Sequence, residues 1–388
     1  MKPRLDAAHH PLVIALLGLG VFLNVYATQA LLPDLTREYD ATRLAAASTV
    51  SATTLAMALM SPLVGALADT LGRKRIVIGA LLALAVPCVM IANAATLAEI
   101  IAWRFVQGAL IPGVGVVLAA YIAEELPPAR VAPTLAAYIS GTVVGGFGGR
   151  FITGLVAGIT DWSAAFLVIA ALNVVTALIG WAFLPAARAF HPQPAKATLP
   201  GIQDHLRNPA LLAACGVGFG LLFALVAAFT YVNYHLAAEP YALSSAALGS
   251  VYAVYLLGVI VTPATGRVVT RAGPRVTLTA ALAVSAFGFA LTLAPALPVI
   301  VLGLAVGSCG VFIAQATATG YAQASITHGR SLASGLYNAC YYAGGATGAL
   351  TAGIAYERAG WTGAVLTVIA ALGSAAALGW LAWRVPRS

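Results

Sequence analysis

Long runs of apolar residues dominate the chain, and short clusters of charged residues or of proline and glycine separate them. A helix needs about 20 mainly apolar residues to cross roughly 30 Å of hydrocarbon. The pattern therefore predicts twelve membrane-spanning helices. Their predicted ranges are 11–33, 44–68, 76–98, 100–123, 131–158, 162–184, 208–236, 241–266, 276–298, 299–323, 332–356 and 361–383.

The longest polar interruption, residues 185–207, contains four prolines and four charged residues. It predicts two bundles of six helices, residues 1–184 and 208–388, joined by a central loop. Of the 20 lysines and arginines, 15 fall on the side of the termini and this loop, and 3 fall on the other side. Because cytoplasmic loops carry the excess of positive charge, we expect both termini and the central loop to be cytoplasmic.

The composition excludes several classes of protein. Hydrophobic residues make up 61% of the chain and charged residues 8%, against about 45–50% and about 25% in soluble domains. A soluble core cannot hide this much apolar surface from water, so the lipid bilayer must solvate much of the chain. The net charge of +8 lies in short clusters between apolar runs, which indicates membrane orientation and no binding of nucleic acid.

Segments of the first half recur in the second half. A shift of 201 residues places Gly72 on Gly273, and a shift of 199 residues places Gly145 on Gly344. Duplicated halves are typical of secondary transporters.

The loop after the second span reads GALADTLGRKR, from Gly65 to Arg75. Gly65 permits close approach of a neighbouring helix, and Gly72 can adopt a left-handed turn. Asp69 and Arg73 are placed for charged contacts at the membrane face.

Glu124 and Glu125 end the fourth span on the same side as Arg73. We expect Arg73 to pair with one of them and, together with Asp69, to anchor an inward gate. The alternative is that the two glutamates are solvated acids at a helix end.

Two arginines are predicted inside spans, where a charged side chain costs about 2.5–3.5 kcal/mol. Arg104 lies in the fourth span, and Arg150 lies in the fifth beside a stripe formed by Gly141, Gly145 and Gly149. The stripe predicts close packing on a neighbouring helix. Each arginine either faces the protein interior or extends its charged end to the interface.

Three segments resemble motifs of the major facilitator superfamily: GALADTLGRKR, the WRFVQGAL that contains Arg104, and YISGTVVGGFGGRFITG in the fifth span. The third is similar to the antiporter motif of drug:proton members, although that motif usually has Gly-Pro where this chain has Gly145 and Gly146. The resemblance is closest to bacterial drug:proton antiporters and sugar-efflux-type permeases. It implies an all-α membrane fold of twelve helices in two six-helix bundles, which rock around a midplane site under a proton gradient.

Proton coupling requires a group that changes its protonation during the cycle. Asp34 is the only acid next to the first span, and we expect it to pair with Arg104 near the outer end. An ordinary interfacial carboxylate is the alternative. His235 with Glu239 is the reserve pair.

Aromatic, hydroxyl and amide groups in the spans form the predicted solute site, because such groups stack on and hydrogen-bond a partly polar solute. The residues are Tyr337, Asn338, Tyr341, Gln315, Tyr234 and Asn233, with Tyr26 and Asn24 from the first span. An interfacial aromatic belt is the competing explanation for the tyrosines at outer ends. The set favours a neutral or weakly amphipathic solute.

Together these features predict a monomeric secondary transporter of a bacterial-type inner membrane, without enzymatic activity, cofactor or metal. We expect proton-coupled efflux of a small organic solute, drug-like or sugar-like. A uniporter or symporter of a neutral metabolite is one alternative. A membrane receptor or enzyme that transports nothing is another.

Overall fold

The computed structural model describes residues 10–185, 205–326 and 330–383, and these residues form helices and turns without a β-strand. The first half of the chain, residues 10–185, contains α1 (His10–Val25), a 3-10 helix (Gln29–Leu31), α2 (Leu32–Glu38), α3 (Arg43–Leu71), α4 (Arg73–Ala92), α5 (Leu97–Leu110), α6 (Pro112–Glu125), α7 (Pro128–Ile159) and α8 (Trp162–Phe183). The second half, residues 205–383, contains α9 (Pro209–Ala237), α10 (Ser245–Val251), a 3-10 helix (Tyr252–Leu256), α11 (Leu257–Ala272), α12 (Pro274–Leu291), α13 (Leu297–Ala324) and α14 (Arg330–Ala382).

Eleven helical stretches of the described chain are long and apolar enough to cross a bilayer. The last, Leu332–Ala382, has 51 residues, which at 1.5 Å per residue is about 76 Å and more than twice the hydrocarbon thickness. It leaves helical geometry at Ala359 and at Gly360, where φ is 60°, and this break divides it into two crossings. The predicted all-α fold with twelve spans is confirmed.

The bundle has an outer end and an inner end. The outer end carries the turn of residues 39–42 between α2 and α3, and the inner end carries Gly72 between α3 and α4. The names follow the orientation predicted from the lysine and arginine count. Gly72 and Gly273 stand at equivalent turns in the two halves, with φ of 89° and 78°, which only glycine adopts readily.

Three spans that the hydrophobic pattern predicts as continuous are interrupted. The first span breaks between α1 and α2. The hydrogen-bond ladder of the fourth span is interrupted at Ile111, whose φ of −56° and ψ of −44° remain helical. The eighth span passes through the 3-10 segment Tyr252–Leu256. Pro33 and Pro112 follow the first two interruptions. A proline interrupts a helix because it lacks the N–H for the helical ladder and its ring clashes with the carbonyl four residues earlier. A 3-10 segment inside a helix often marks a functional hinge.

The glycine stripe of α7 packs against the backbone of α1. A Cβ atom on Gly141, Gly145 or Gly149 would overlap the main chain of Ala15, Leu19 or Leu23, respectively. In the second half, Gly344 and Gly348 of α14 approach Phe219 and Phe223 of α9 in the same way. The two halves therefore share both the sequence repeat and the packing that it produces.

The two halves meet along α3 and the first part of α14, and at the outer ends of α7 and α10. Ser51 donates a 2.9 Å hydrogen bond to the carbonyl oxygen of Ala346. Gly154 of α7 lies against the backbone of Ser245 and Gly249. Apolar side chains cover the outside of the bundle, as at Ile260, which is 72% exposed, and this surface suits lipid.

Candidate functional site

Side chains from the interrupted spans one and eight surround Arg150. It lies nine residues before the end of α7, about 14 Å from that end at 1.5 Å per residue, and is 1% exposed. Its guanidinium carbon lies 4.2 Å from the ring centre of Tyr26, 4.6 Å from that of Tyr252 and 4.7 Å from that of Tyr255. Tyr26 belongs to the break in span one, and the other two tyrosines belong to the break in span eight.

A chain of hydrogen bonds extends this contact across the two halves. The Nε of Arg150 donates to the side-chain oxygen of Gln29 over 2.7 Å. The amide nitrogen of Gln29 donates to the hydroxyl of Thr230 over 3.0 Å. All three residues are buried, so a change in the distance between the halves must break or lengthen this chain.

We name Arg150, Gln29, Tyr26, Tyr252 and Tyr255 the arginine cage. The sequence prediction included Arg150 and Tyr26 but not the other three residues. A signal was available for Tyr252 and Tyr255, because both lie inside a predicted span, deeper than an interfacial aromatic belt.

Arg104 is fully buried and does not extend to the interface. It donates hydrogen bonds to the carbonyl oxygens of Asn24 (2.7 Å), Val25 (2.6 Å) and Thr49 (3.3 Å), and to the side chain of Gln107. The first two carbonyls end α1, where the helical ladder leaves them without partners. Arg104 therefore caps the broken first span.

Asn24 completes this polar network inside the first half. Its side chain accepts a 2.8 Å hydrogen bond from Gln107 and donates one of 2.8 Å to Asn173. Cys88 also contacts Asn24 and Gln107. Asn24, which the sequence predicts in the solute site, thus bonds to buried neighbours within the first half.

The predicted pair of Asp34 and Arg104 is wrong. Asp34 forms a salt bridge with Arg37, whose side chain is 77% exposed, and accepts a 2.5 Å hydrogen bond from the hydroxyl of Ser245. The break in span one explains the error, because it turns Asp34 toward the outer end while Arg104 bonds to the end of α1. Asp34 lines an outer pocket of about 300 Å³ together with Arg37, Glu38, Ala157, Asp161 and Trp162.

The reserve pair of His235 and Glu239 is also not formed, since no salt bridge joins these two described residues. The ring of His235 stacks on Trp361, with 5.4 Å between ring centres and 10° between planes. Glu239 is exposed just beyond the end of α9. Because α9 ends at Ala237, His235 lies within the helix and Glu239 lies beyond it, so the two side chains have different surroundings.

The second half contains another polar and aromatic surface, which we name the Tyr341 surface and which consists of Tyr337, Tyr341 and Gln315. The Tyr337 hydroxyl donates a 3.1 Å hydrogen bond to Gln315, and the rings of Tyr337 and Tyr341 are 6.4 Å apart. Asn338 is half-buried and makes no hydrogen bond with another described residue. The Tyr341 hydroxyl is near enough to those of Tyr26 and Tyr255 for an electrostatic interaction, so this surface adjoins the arginine cage.

Tyr234 and Asn233 lie elsewhere. The Tyr234 hydroxyl lies 3.0 Å from that of Thr36, at the outer contact between the halves. Asn233 donates a 2.6 Å hydrogen bond to the hydroxyl of Tyr252. Tyr234 therefore joins the outer ends of the two halves, and Asn233 bonds to a tyrosine of the arginine cage.

At the inner end, Arg73 is paired with Glu124. Its Nε donates a 2.8 Å hydrogen bond to one carboxylate oxygen, and a second nitrogen bonds the other oxygen. Arg73 is 5% exposed, whereas the side chain of Glu124 is 43% exposed. Glu125 is half-buried. The side chains of residues 65–71, which include the predicted Gly65 and Asp69, lie outside the described part of the structure.

The twelve spans, the packed repeat and a polar site between the halves define a polytopic membrane transporter. A family model described as Major Facilitator Superfamily matches residues 14–326, and the chain belongs to this superfamily. The MFS-type transporter YybF of Bacillus subtilis (strain 168) is 30% identical over 350 residues, covering 90% of this chain and 87% of YybF. The inner membrane transport protein YnfM of Escherichia coli (strain K12) is 31% identical over 363 residues, covering 92% of this chain and 87% of YnfM.

Solved structures share the fold. A bacterial homolog of the human lysosomal transporter Spinster, in an inward-facing and occupied conformation, superposes with a TM-score of 0.78 at 14% identity, covering 98% of this chain and 97% of that one. The nucleoside transporter NupG superposes with a TM-score of 0.79 at 14% identity, covering 97% and 100%. At these identities the likeness describes the fold alone.

Proposed function

We propose that the protein exports a small organic solute in exchange for protons, by alternating access between its two halves. The observation that carries this proposal is the arginine cage, because a buried cation is surrounded there by side chains from a broken span of each half. Rocking of the halves would separate those side chains and open the adjoining aromatic surface of Tyr337, Tyr341 and Gln315.

Contacts at the outer end support a closed outer gate. Asp34 bonds to Ser245, and Thr36 bonds to Tyr234, so both contacts join the first half to the second. We propose that the Arg73–Glu124 pair, with Asp69, takes part in the inward gate. Stabilising one end against the other shifts the population between the two conformations.

Asp34 is the residue we propose to connect the proton gradient to the outer gate. Protonation from the outer side would remove the negative charge that faces Arg37 and would weaken the contact with Ser245. This arrangement replaces the predicted Asp34–Arg104 pair as the basis of coupling.

Uniport of a neutral solute is the second candidate. It is favoured by one observation: among the described residues, the buried charged side chains are Arg73, Arg104 and Arg150, and none is a carboxylate.

Transport in liposomes tests the two candidates. We expect an imposed pH gradient to drive accumulation of the solute by the wild-type protein. The Asp34→Asn variant is expected to lose gradient-driven transport and to keep solute counterflow. Asp40→Asn is the matched control, since Asp40 is an exposed acid at the same end and its φ of 43° suits asparagine.

Equal gradient-driven transport by the wild type and Asp34→Asn would remove Asp34 from the coupling mechanism. Transport that ignores the pH gradient in the wild type would favour uniport.

A further inference from the structure

Arg150 lacks the kind of partner that a buried guanidinium usually has. Arg73 has the carboxylate of Glu124, and Arg104 caps a helix end. Arg150 donates hydrogen bonds to the amide oxygen of Gln29 and to the carbonyl oxygen of Gly146, both over 2.7 Å. No carboxylate among the described residues forms a salt bridge with it.

Neutral acceptors and ring faces compensate a buried cation less completely than an anion does. Guanidinium stays protonated at any physiological pH, so Arg150 cannot reduce this penalty by losing its charge. A complementary anion from outside the chain would supply the missing charge.

The cage would come apart when the halves separate. Tyr252 and Tyr255 belong to the second half, and so does Thr230, which holds Gln29. Arg150 and Tyr26 belong to the first half. Separation at the outer end would leave the guanidinium with one ring of three and would expose it to the cavity between the halves.

Two of the cage tyrosine residues keep a little exposure in this conformation. Tyr26 is 9% exposed and Tyr255 is 8% exposed, whereas Tyr252 is fully buried. A solute that displaces these two rings would reach Arg150 from the side of the Tyr341 surface. An aromatic or lipophilic body would find ring faces there, and a carboxylate could bind the guanidinium through two parallel hydrogen bonds.

We propose that the solute is an aromatic or lipophilic monocarboxylate whose carboxylate pairs with Arg150. This inference rests on the proposed function, in which a small organic solute binds between the halves. It differs from the neutral solute that the uncharged groups of the sequence predict, because the sequence does not show that Arg150 faces the junction of the halves.

Binding to the purified full-length protein in lipid nanodiscs, without a gradient, tests the inference. The probes are 1-naphthoate, its neutral amide and the cationic 1-naphthylmethylamine, which share one ring system. We expect the carboxylate to bind about tenfold or more tightly than the amide, because hydrogen bonds to charged groups are stronger than neutral ones, and we expect the amine to bind most weakly. Equal affinity for carboxylate and amide in the wild type overturns the inference.

Variants of Arg150 identify the residue responsible. Arg150→Gln is expected to bind the carboxylate and the amide equally, and Arg150→Lys to keep a smaller preference for the carboxylate, because lysine lacks the paired donors. Arg271→Gln removes an exposed arginine at the inner end of α11 and is expected to keep the wild-type preference. A full carboxylate preference in Arg150→Gln overturns the inference. If that variant does not fold, the wild-type comparison still decides.

The outcome is separable from that of the proposed function. Gradient-driven transport of a neutral solute without carboxylate preference would reject the anion site and keep the transport proposal. A carboxylate preference in a protein whose transport ignores the pH gradient would keep the anion site and reject proton exchange.

Discussion

The hydroxyl oxygens of Thr36 and Tyr234 lie 3.0 Å apart, although 198 positions separate the two residues in the chain. Thr36 lies in α2, after the break in span one, and Tyr234 lies near the outer end of α9. This hydrogen bond is therefore one of the contacts that hold the outer ends of the two halves together.

Tyr234→Phe is expected to favour the conformation that is open at the outer end. Loss of one hydrogen bond is worth about 0.5–1.5 kcal/mol, which corresponds to a roughly two- to tenfold change in the ratio of the two conformations. Distances between spin labels on the outer ends of α2 and α9 measure that ratio. Tyr39→Phe is the control, since the Tyr39 hydroxyl bonds to Ala94 within the first half. An unchanged distance distribution in Tyr234→Phe would contradict the gate assignment.

Arg104→Gln is expected to lower the thermal stability of the purified protein. It removes the cap from α1 and leaves the carbonyls of Asn24 and Val25 buried without donors, a loss of about 3–5 kcal/mol by analogy with broken buried charge networks. Arg104→Lys is not expected to restore stability, because an ammonium group cannot reproduce the planar set of donors.

A double-mutant cycle between Arg104→Gln and Asp34→Asn separates this account from the predicted ion pair. Since the two residues do not pair in the structure, we expect their effects on unfolding free energy to add within about 0.5 kcal/mol. A larger coupling energy would show that they interact in a conformation that matters for stability.

Gly145→Val is expected to destabilise the first half, because its side chain would collide with the main chain of Leu19. Overpacking of this kind costs about 1–3 kcal/mol. The melting temperature followed by size-exclusion chromatography measures the effect. Gly79→Val is the matched control, since a Cβ at Gly79 meets nothing within 4 Å and valine is less unfavourable than glycine in a helix. If Gly145→Val melts at the same temperature as the wild type, the contact between the glycine stripe of α7 and α1 does not stabilise the protein.

Glu124→Gln is expected to impair transport while membrane insertion stays normal. It removes a charged partner of the buried Arg73, and because Glu124 is partly exposed, the loss is about 1–3 kcal/mol, between the values for exposed and buried pairs. Asp69→Asn is expected to act in the same direction. Arg75→Gln, at an exposed arginine two residues from Arg73, is the control. Normal transport by Glu124→Gln and Asp69→Asn would reject the inward gate.

Asn338→Ala is expected to weaken solute binding with little effect on stability. Its side chain has no hydrogen-bond partner among the described residues, so its removal breaks no hydrogen bond within that part of the protein, whereas Tyr337→Ala also removes the bond to Gln315. A direct binding assay and a melting curve on both variants give the comparison. Wild-type affinity in both variants would place the solute site elsewhere.

Hydrophobic pattern and a few motifs were sufficient to predict the number of spans, the all-α fold and the repeat. A lipid-exposed helix must be mainly apolar, and close helix contacts require small residues such as glycine at regular spacing. Both features can therefore be recognised from residues that are near each other in the sequence. The breaks in spans one and four also have local causes in Pro33 and Pro112.

The partners of Arg104 and Arg150 were decided by tertiary structure alone. Arg150 contacts residues more than 95 positions away on either side, and Arg104 bonds to backbone carbonyls, which no side-chain pattern marks. The expectation that Asp34 would meet Arg104 used their similar depth, but depth does not fix the direction in which a broken helix turns its side chains. A sequence records which residues are costly to bury, whereas the packing of distant helices determines what compensates each of them.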